Sequence, residues 1–147
     1  STNRKRNLKK AYKENLYITE DISIATFINF KKQHAVYKTS PRQYHKMNRL
    51  VNEAIKRGKA KIYGVLQSDN LIAVAFVLKN KQRLISIITA TNKIGKKVGA
   101  IAFLNDTLIK KNANTTTIFD FEGSMISGIS RFYKSFGAKQ VNYLSFE

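Results

Sequence analysis

A chain of 147 residues, 43% of them hydrophobic, is the size of one domain that buries a single core between helices. It holds no cysteine, which excludes disulfides, thiolate metal sites and cysteine nucleophiles and suits a reducing compartment. Twenty-seven Lys and Arg stand against nine Asp and Glu, and the net charge of +18 points either to an anionic partner (a phosphate-bearing cofactor, a nucleic acid, a membrane surface) or simply to solubility.

No apolar run approaches the roughly 18 residues that cross a bilayer, and the basic opening lacks the apolar stretch of a signal peptide. A cytoplasmic chain without a membrane span is expected. Because the sequence opens Ser1-Thr2-Asn3 rather than on methionine, we expect an excised fragment.

Asn3 to Asn15 carries Arg4, Lys5, Arg6, Lys9, Lys10 and Lys13, with Leu8, Ala11 and Tyr12 at helical spacing, and reads as a basic amphipathic helix. A short extended stretch at Leu16 to Ile18 follows. Ile24, Phe27, Ile28 and Lys31 then mark one face of a helix from about Ile22 to Gln33, capped by Thr19 or Asp21. Ser40, Pro41 and Gln43 place an N-cap, an N1 proline and a capping-box partner in order. That helix should run to Arg57, bury Tyr44, Met47, Leu50, Val51, Ala54 and Ile55, and stop at Gly58.

Three strands are expected at Lys61 to Leu66, Leu71 to Leu78 and Leu84 to Ala90, and their short, turn-prone connections make them an antiparallel meander. A polar loop, Thr91 to Lys97, leads into a helix burying Val98, Ile101, Ala102, Leu104, Leu108 and Ile109. Thr115 to Phe121 reads as a strand. After Glu122-Gly123-Ser124 a last helix turns Ile126, Ile129, Phe132, Tyr133 and Phe136 inward and ends at Gly137, and Lys139 to Phe146 makes the final strand.

Leaving the basic helix aside, the order is strand, two helices, three antiparallel strands, helix, strand, helix, strand. This order, with the segment Ile129-Ser130-Arg131-Phe132-Tyr133-Lys134-Ser135-Phe136-Gly137-Ala138, resembles the GCN5-related (GNAT) acyltransferases over residues 16–147. Two further stretches, Asp120-Phe121-Glu122-Gly123-Ser124-Met125-Ile126 and the opening Ser1 to Ala11, are similar to the C-terminal half of FemAB-like transferases. The resemblance implies an α/β fold with a mixed, mainly antiparallel sheet flanked by helices. It implies residues 1–15 as a basic helix linking to a preceding GNAT-like half, and residues 16–147 as the acyltransferase domain. The activity implied is transfer of an acyl group, acetyl above all, from acyl-CoA to an amine of unknown identity, with no metal. The Fem-type alternative uses aminoacyl-tRNA and acts in cell-wall peptide synthesis.

Acyl transfer from a thioester needs a cradle for the donor's phosphates, a proton acceptor for the amine and a proton donor for the leaving thiolate. On the resemblance, the cradle is Thr91, Asn92, Gly95, Lys96, Lys97, Val98, Gly99 and Ala100, where backbone N–H groups, the helix dipole and lysine charge favour an anion. A solvated glycine-bearing turn is the plainer reading. Tyr133 matches the tyrosine that protonates the thiolate in that family, and it equally suits a core tyrosine with its hydroxyl at the rim. Glu122, beside Gly123, is the candidate general base, although it and Asp120 could as well cap a helix or pair with lysines, and Ser124 reads as an N-cap. His34 and His45 have no carboxylate nearby in sequence and support no metal site. A non-catalytic basic module, with Tyr12, Tyr37 and Tyr44 among its cations, remains a rival, but the chain has no RNP, KH or helix-turn-helix signature.

Overall fold

The computed structural model describes residues 2–123 and 126–142. Helix α1 (Thr2–Tyr12) leads into β1 (Leu16–Thr19), α2 (Ile24–Gln33) and α3 (Pro41–Lys56). Strands β2 (Ala60–Gln67), β3 (Asn70–Asn80) and β4 (Arg83–Thr91) follow, then α4 (Lys93–Val98), α5 (Ala100–Lys111), β5 (Ile118–Asp120) and α6 (Ser127–Lys134).

The five strands form one sheet in chain order, antiparallel from β1 to β4, with β5 parallel to β4. Alternation along β3 sends Ala73, Ala75 and Val77 to one face and Val74 and Phe76 to the other. The first face packs on α1, α4 and α5 through Ala11, Val98, Phe103 and Leu104, and the second on α2 and α3 through Phe27, Ile28 and Val51. Burial on both faces is why Leu71 to Leu78 reads as a continuous apolar run rather than an alternating one.

The capping box forms as its residues require: Ser40 Oγ accepts from Gln43 N at 3.2 Å and Gln43 Oε1 accepts from Ser40 N at 2.8 Å. Helix α2 starts two residues later than its pattern suggests, because Ser23 caps it, accepting from Thr26 N at 3.0 Å, whereas the Thr19 hydroxyl bonds Asp21 N instead. Leu50 is 48% exposed, so the buried side of α3 is narrower than the apolar count implies.

Two departures shape the functional end. Thr91 to Lys97 is not a loop: Asn92 Oδ1 accepts from Gly95 N at 2.8 Å and starts α4 directly after β4. Strand β5 begins at Ile118 rather than Thr115, since the Thr115 hydroxyl donates to Asn112 O and accepts from Thr117 N, holding the chain in a turn. Ile126 and Ile129 are 46% and 37% exposed and do not face inward. Ser124 and residues 143–147 of the expected last strand lie outside the described residues, and residues 139–142 are not strand.

Candidate functional site: a basic cleft beside an open strand edge

Strand β5 pairs with β4 only at Arg83↔Ile118, Leu84↔Phe119 and Ile85↔Asp120, while β4 runs on to Thr91. Beyond Ile85 the outer edge of β4 therefore has no partner strand among the described residues. A register shift marks the parting: Phe76 faces Ile88 and Val77 faces Ser86, which leaves Ile87 as an extra, bulged residue. Asn92 N bonds back to Ile72 O at 3.1 Å, so by the two-residue period the backbone groups of Thr89 and Thr91 point away from β3. Lys31 on α2 reaches this edge and donates its Nζ to Thr89 O at 2.9 Å, and half-burial lowers its pKa from the ordinary lysine value.

At the end of the open edge lies a cleft of about 370 Å³. Seven of the eight residues in the expected phosphate cradle line it: Thr91, Gly95, Lys96, Lys97, Val98, Gly99 and Ala100. Asn92 does not, its side chain being spent on capping α4. The cradle is thus a helix, a break and a second helix. Gly95 is required because a Cβ there would collide with Ile72 O and Thr91 Oγ1. Gly99 supplies the break, with φ +74°, and its N–H ends α4 on Gly95 O and Lys96 O. Among the described residues no side chain caps α5, and its first turn, Ala100 to Ala102, lines the cleft with the positive end of the helix dipole.

The remaining lining includes residues the sequence did not flag. Phe132 of α6 also lines it, as do Arg4, Asn7 and Lys10 of α1. The available signal was their spacing of three residues along a helix, which places them on one face. Arg4 is anchored by α6: its Nε donates to Ser135 Oγ at 2.8 Å, and its guanidinium lies 4.4 Å from the Phe132 ring centre and 4.8 Å from that of Phe136.

Neither Glu122 nor Tyr133 is among the residues that line the cleft. Asp120 serves structure: Oδ2 accepts from Arg83 at 2.6 Å and Oδ1 from Glu122 N at 2.8 Å. Glu122 itself has φ +61°, a backbone state unusual for a non-glycine residue, and an exposed side chain. Buried Phe121 stacks on Tyr133, with ring centres 4.8 Å apart and planes at 23°, and touches Phe119 and Phe136. Burial first, then the charge of Glu122, raises the Tyr133 pKa, so the phenol keeps its proton beyond its usual range. Among the described residues no three His, Asp or Glu side chains converge on a metal position, and no helix is long and apolar enough to cross a membrane.

An antiparallel meander of four strands, a bulged fourth strand parting from a parallel fifth, and a helix starting where that fourth strand ends decide the architecture. The chain has the GNAT acyltransferase fold. By sequence it matches no family model and no curated protein. Solved GNAT-fold structures match it along most of its length. A predicted acetyltransferase with acetyl-CoA from Clostridium acetobutylicum has a TM-score of 0.66 at 12% identity, over 90% of this chain and 95% of that one. A ribosomal-protein-alanine N-acetyltransferase from Brucella melitensis has 0.64 at 11% identity, over 90% and 96%. FemX has 0.75 at 12% identity over 93% of this chain, which spans about half (54%) of the FemX chain.

Proposed function

We propose that the GNAT-fold chain is an N-acyltransferase domain that takes an acyl group, acetyl in the first instance, from acyl-CoA. The observation that carries the reading is the parting of β4 from β5 with the basic cleft at its end. The outward N–H groups of Thr89 and Thr91 offer an extended, amide-bearing arm a strand edge to pair with. Lys96, Lys97 and the uncapped start of α5 attract its phosphates. A neighbour of the same fold is described with acetyl-CoA, which supports this choice of donor.

In the proposed reaction the acceptor nitrogen attacks the thioester carbonyl carbon, forming the C–N bond. Glu122 takes the ammonium proton, directly or through water, its carboxylate being exposed to an incoming amine. The C–S bond then breaks, and Tyr133 gives the departing thiolate its proton; solvent returns both residues to their starting states. A phenol whose pKa is raised is a suitable donor, because it is fully protonated at neutral pH.

Calorimetric titration with acetyl-CoA at two salt concentrations tests the reading. One saturable site that weakens in Lys96→Ala and Lys97→Ala, with acetyl transfer to an amine panel, is the expected outcome. Absence of acetyl-CoA binding overturns it.

The likeness to FemX supports a second reading, a Fem-type half-domain that uses aminoacyl-tRNA in cell-wall peptide synthesis together with a preceding half. Binding of tRNA without acetyl-CoA, steeply dependent on salt, would favour it. Binding of nucleic acid without any transfer would leave a basic binding module. A cytoplasmic location fits each of these readings.

A further inference from the structure

Three lysines are held in contrasting ways. Lys61 and Lys110 are exposed and pair with Glu20 and Asp106, whose hydrogen bonds raise their pKa. Lys31 is half-buried, no Asp or Glu pairs with it among the described residues, and loss of water lowers its pKa. Its Nζ donates to a neutral acceptor, Thr89 O, at 2.9 Å. A desolvated amine without a counter-ion is the form in which lysine becomes a nucleophile. Thr89 lies on the open edge of β4, two residues or about 7 Å before Thr91, which lines the cleft. A donor with its phosphates in the cleft and its arm along that edge therefore passes Lys31. The arm's amide N–H groups need the outward carbonyls of the edge, and Thr89 O is one that Lys31 holds. Pairing of the arm there displaces an ammonium that has no carboxylate to move to. Stripped of its hydrogen bond while half-buried, the group is driven to give its proton to solvent, and a neutral amine is left beside the arm.

We propose that Lys31 is an acyl acceptor within the chain, a self-acylation site that takes its acyl group from an acyl-CoA seated on the open edge of β4. The Nζ lone pair attacks the thioester carbonyl carbon and the C–N bond of an amide forms. The C–S bond breaks, and the proton that the nitrogen sheds goes to the departing thiolate, leaving an acylated lysine and free coenzyme A. This deepens the donor-site reading and rests on acyl-CoA binding at that edge, but not on transfer to an external amine.

The test incubates the whole chain with acetyl-CoA and follows the acetyl group by peptide mass spectrometry. Lys32 is the internal control, being the next residue on α2, exposed, and set over the Tyr44 ring rather than on β4. Lys31 is expected to be acetylated about tenfold faster than Lys32, because its thioester is held beside it instead of arriving by diffusion. Excess coenzyme A should slow the reaction at Lys31 and leave Lys32 unchanged. Lys31→Arg, which keeps a cation for Thr89 O but has no nucleophilic amine, should lose the rapidly added acetyl group from its intact mass. Equal rates at Lys31 and Lys32, a Lys31 rate indifferent to coenzyme A, or no acetyl group on Lys31 would overturn the proposal. Calorimetry with acetyl-CoA and the amine panel, run on the same preparation, separate the two readings. Donor binding and transfer to amines with Lys31 unmodified defeat self-acylation alone. Labelling of Lys31 that coenzyme A suppresses, without transfer to any amine, defeats the external transferase reading alone, and absence of acetyl-CoA binding overturns both.

Discussion

In the meander from β2 to β4, β3 is buried along both faces from Ile72 to Val77, and its neighbours pair with it over eight positions each. At the other end of the sheet, β5 pairs over three positions, α6 has no fully buried residue, and Phe119, Phe121, Phe132, Tyr133 and Phe136 hold the end together ring against ring. The meander's central strand, β3, has a partner along both edges and serves as scaffold. The other region leaves the outer edge of β4 beyond Ile85 and the start of α5 without a strand partner or a side-chain cap among the described residues, and those groups are what a ligand can use.

The contrast predicts that substitutions in the meander change stability and leave the cleft's anion affinity intact, with the reverse at the open end. The largest expected effect is Phe76→Ala. Phe76 is fully buried, with its ring centre 6.1 Å from that of Phe27, and its loss should cost about 3–5 kcal/mol in urea unfolding. Gly95→Ala lies on the boundary: the new methyl meets Ile72 O, and the strain should cost about 1–3 kcal/mol and weaken acetyl-CoA binding as well. Normal anion affinity in that variant would break the link drawn between β3 and the cleft floor. Ser40→Ala, which removes the cap of α3, should cost about 1 kcal/mol and leave anion binding unchanged.

The smallest effect is in the pH dependence. Because the folded-state pKa of Tyr133 is raised, its contribution to stability is fully present below the unfolded tyrosine value near 10. It is lost as pH climbs through the raised value. An absorbance titration at alkaline pH should show a late tyrosine component that is smaller in Tyr133→Phe but not lost, since Tyr17 and Tyr63 are raised as well, and an unchanged curve would refute the assignment.

Much of the scaffold was legible because its signals are local. Ser40, Pro41 and Gln43 specify a helix start among themselves, and the apolar run at Leu71 to Leu78 demands burial on two faces. The functional end was less legible because its structure depends on distant partners. Asn92 makes a helix of an apparent loop through a single cap, and Gly95 reads as flexible although it is there for a close approach to β3. Arg4 belongs to the cleft only because α6, some 130 residues later in the chain, supplies Ser135 (a separation of 131) and two aromatic rings. Nothing in the spacing of residues along α1 could announce that contact.

Lys31 carries one more consequence. An unpaired strand edge invites a second copy of the chain to add its own strand, the first step towards aggregation. The ammonium seated on Thr89 O occupies one of the acceptors such a strand would need. Pairing there would have to displace the lysine, or bury its charge in a new interface without a counter-ion. The same lysine that narrows the edge for a ligand thereby protects the molecule from itself.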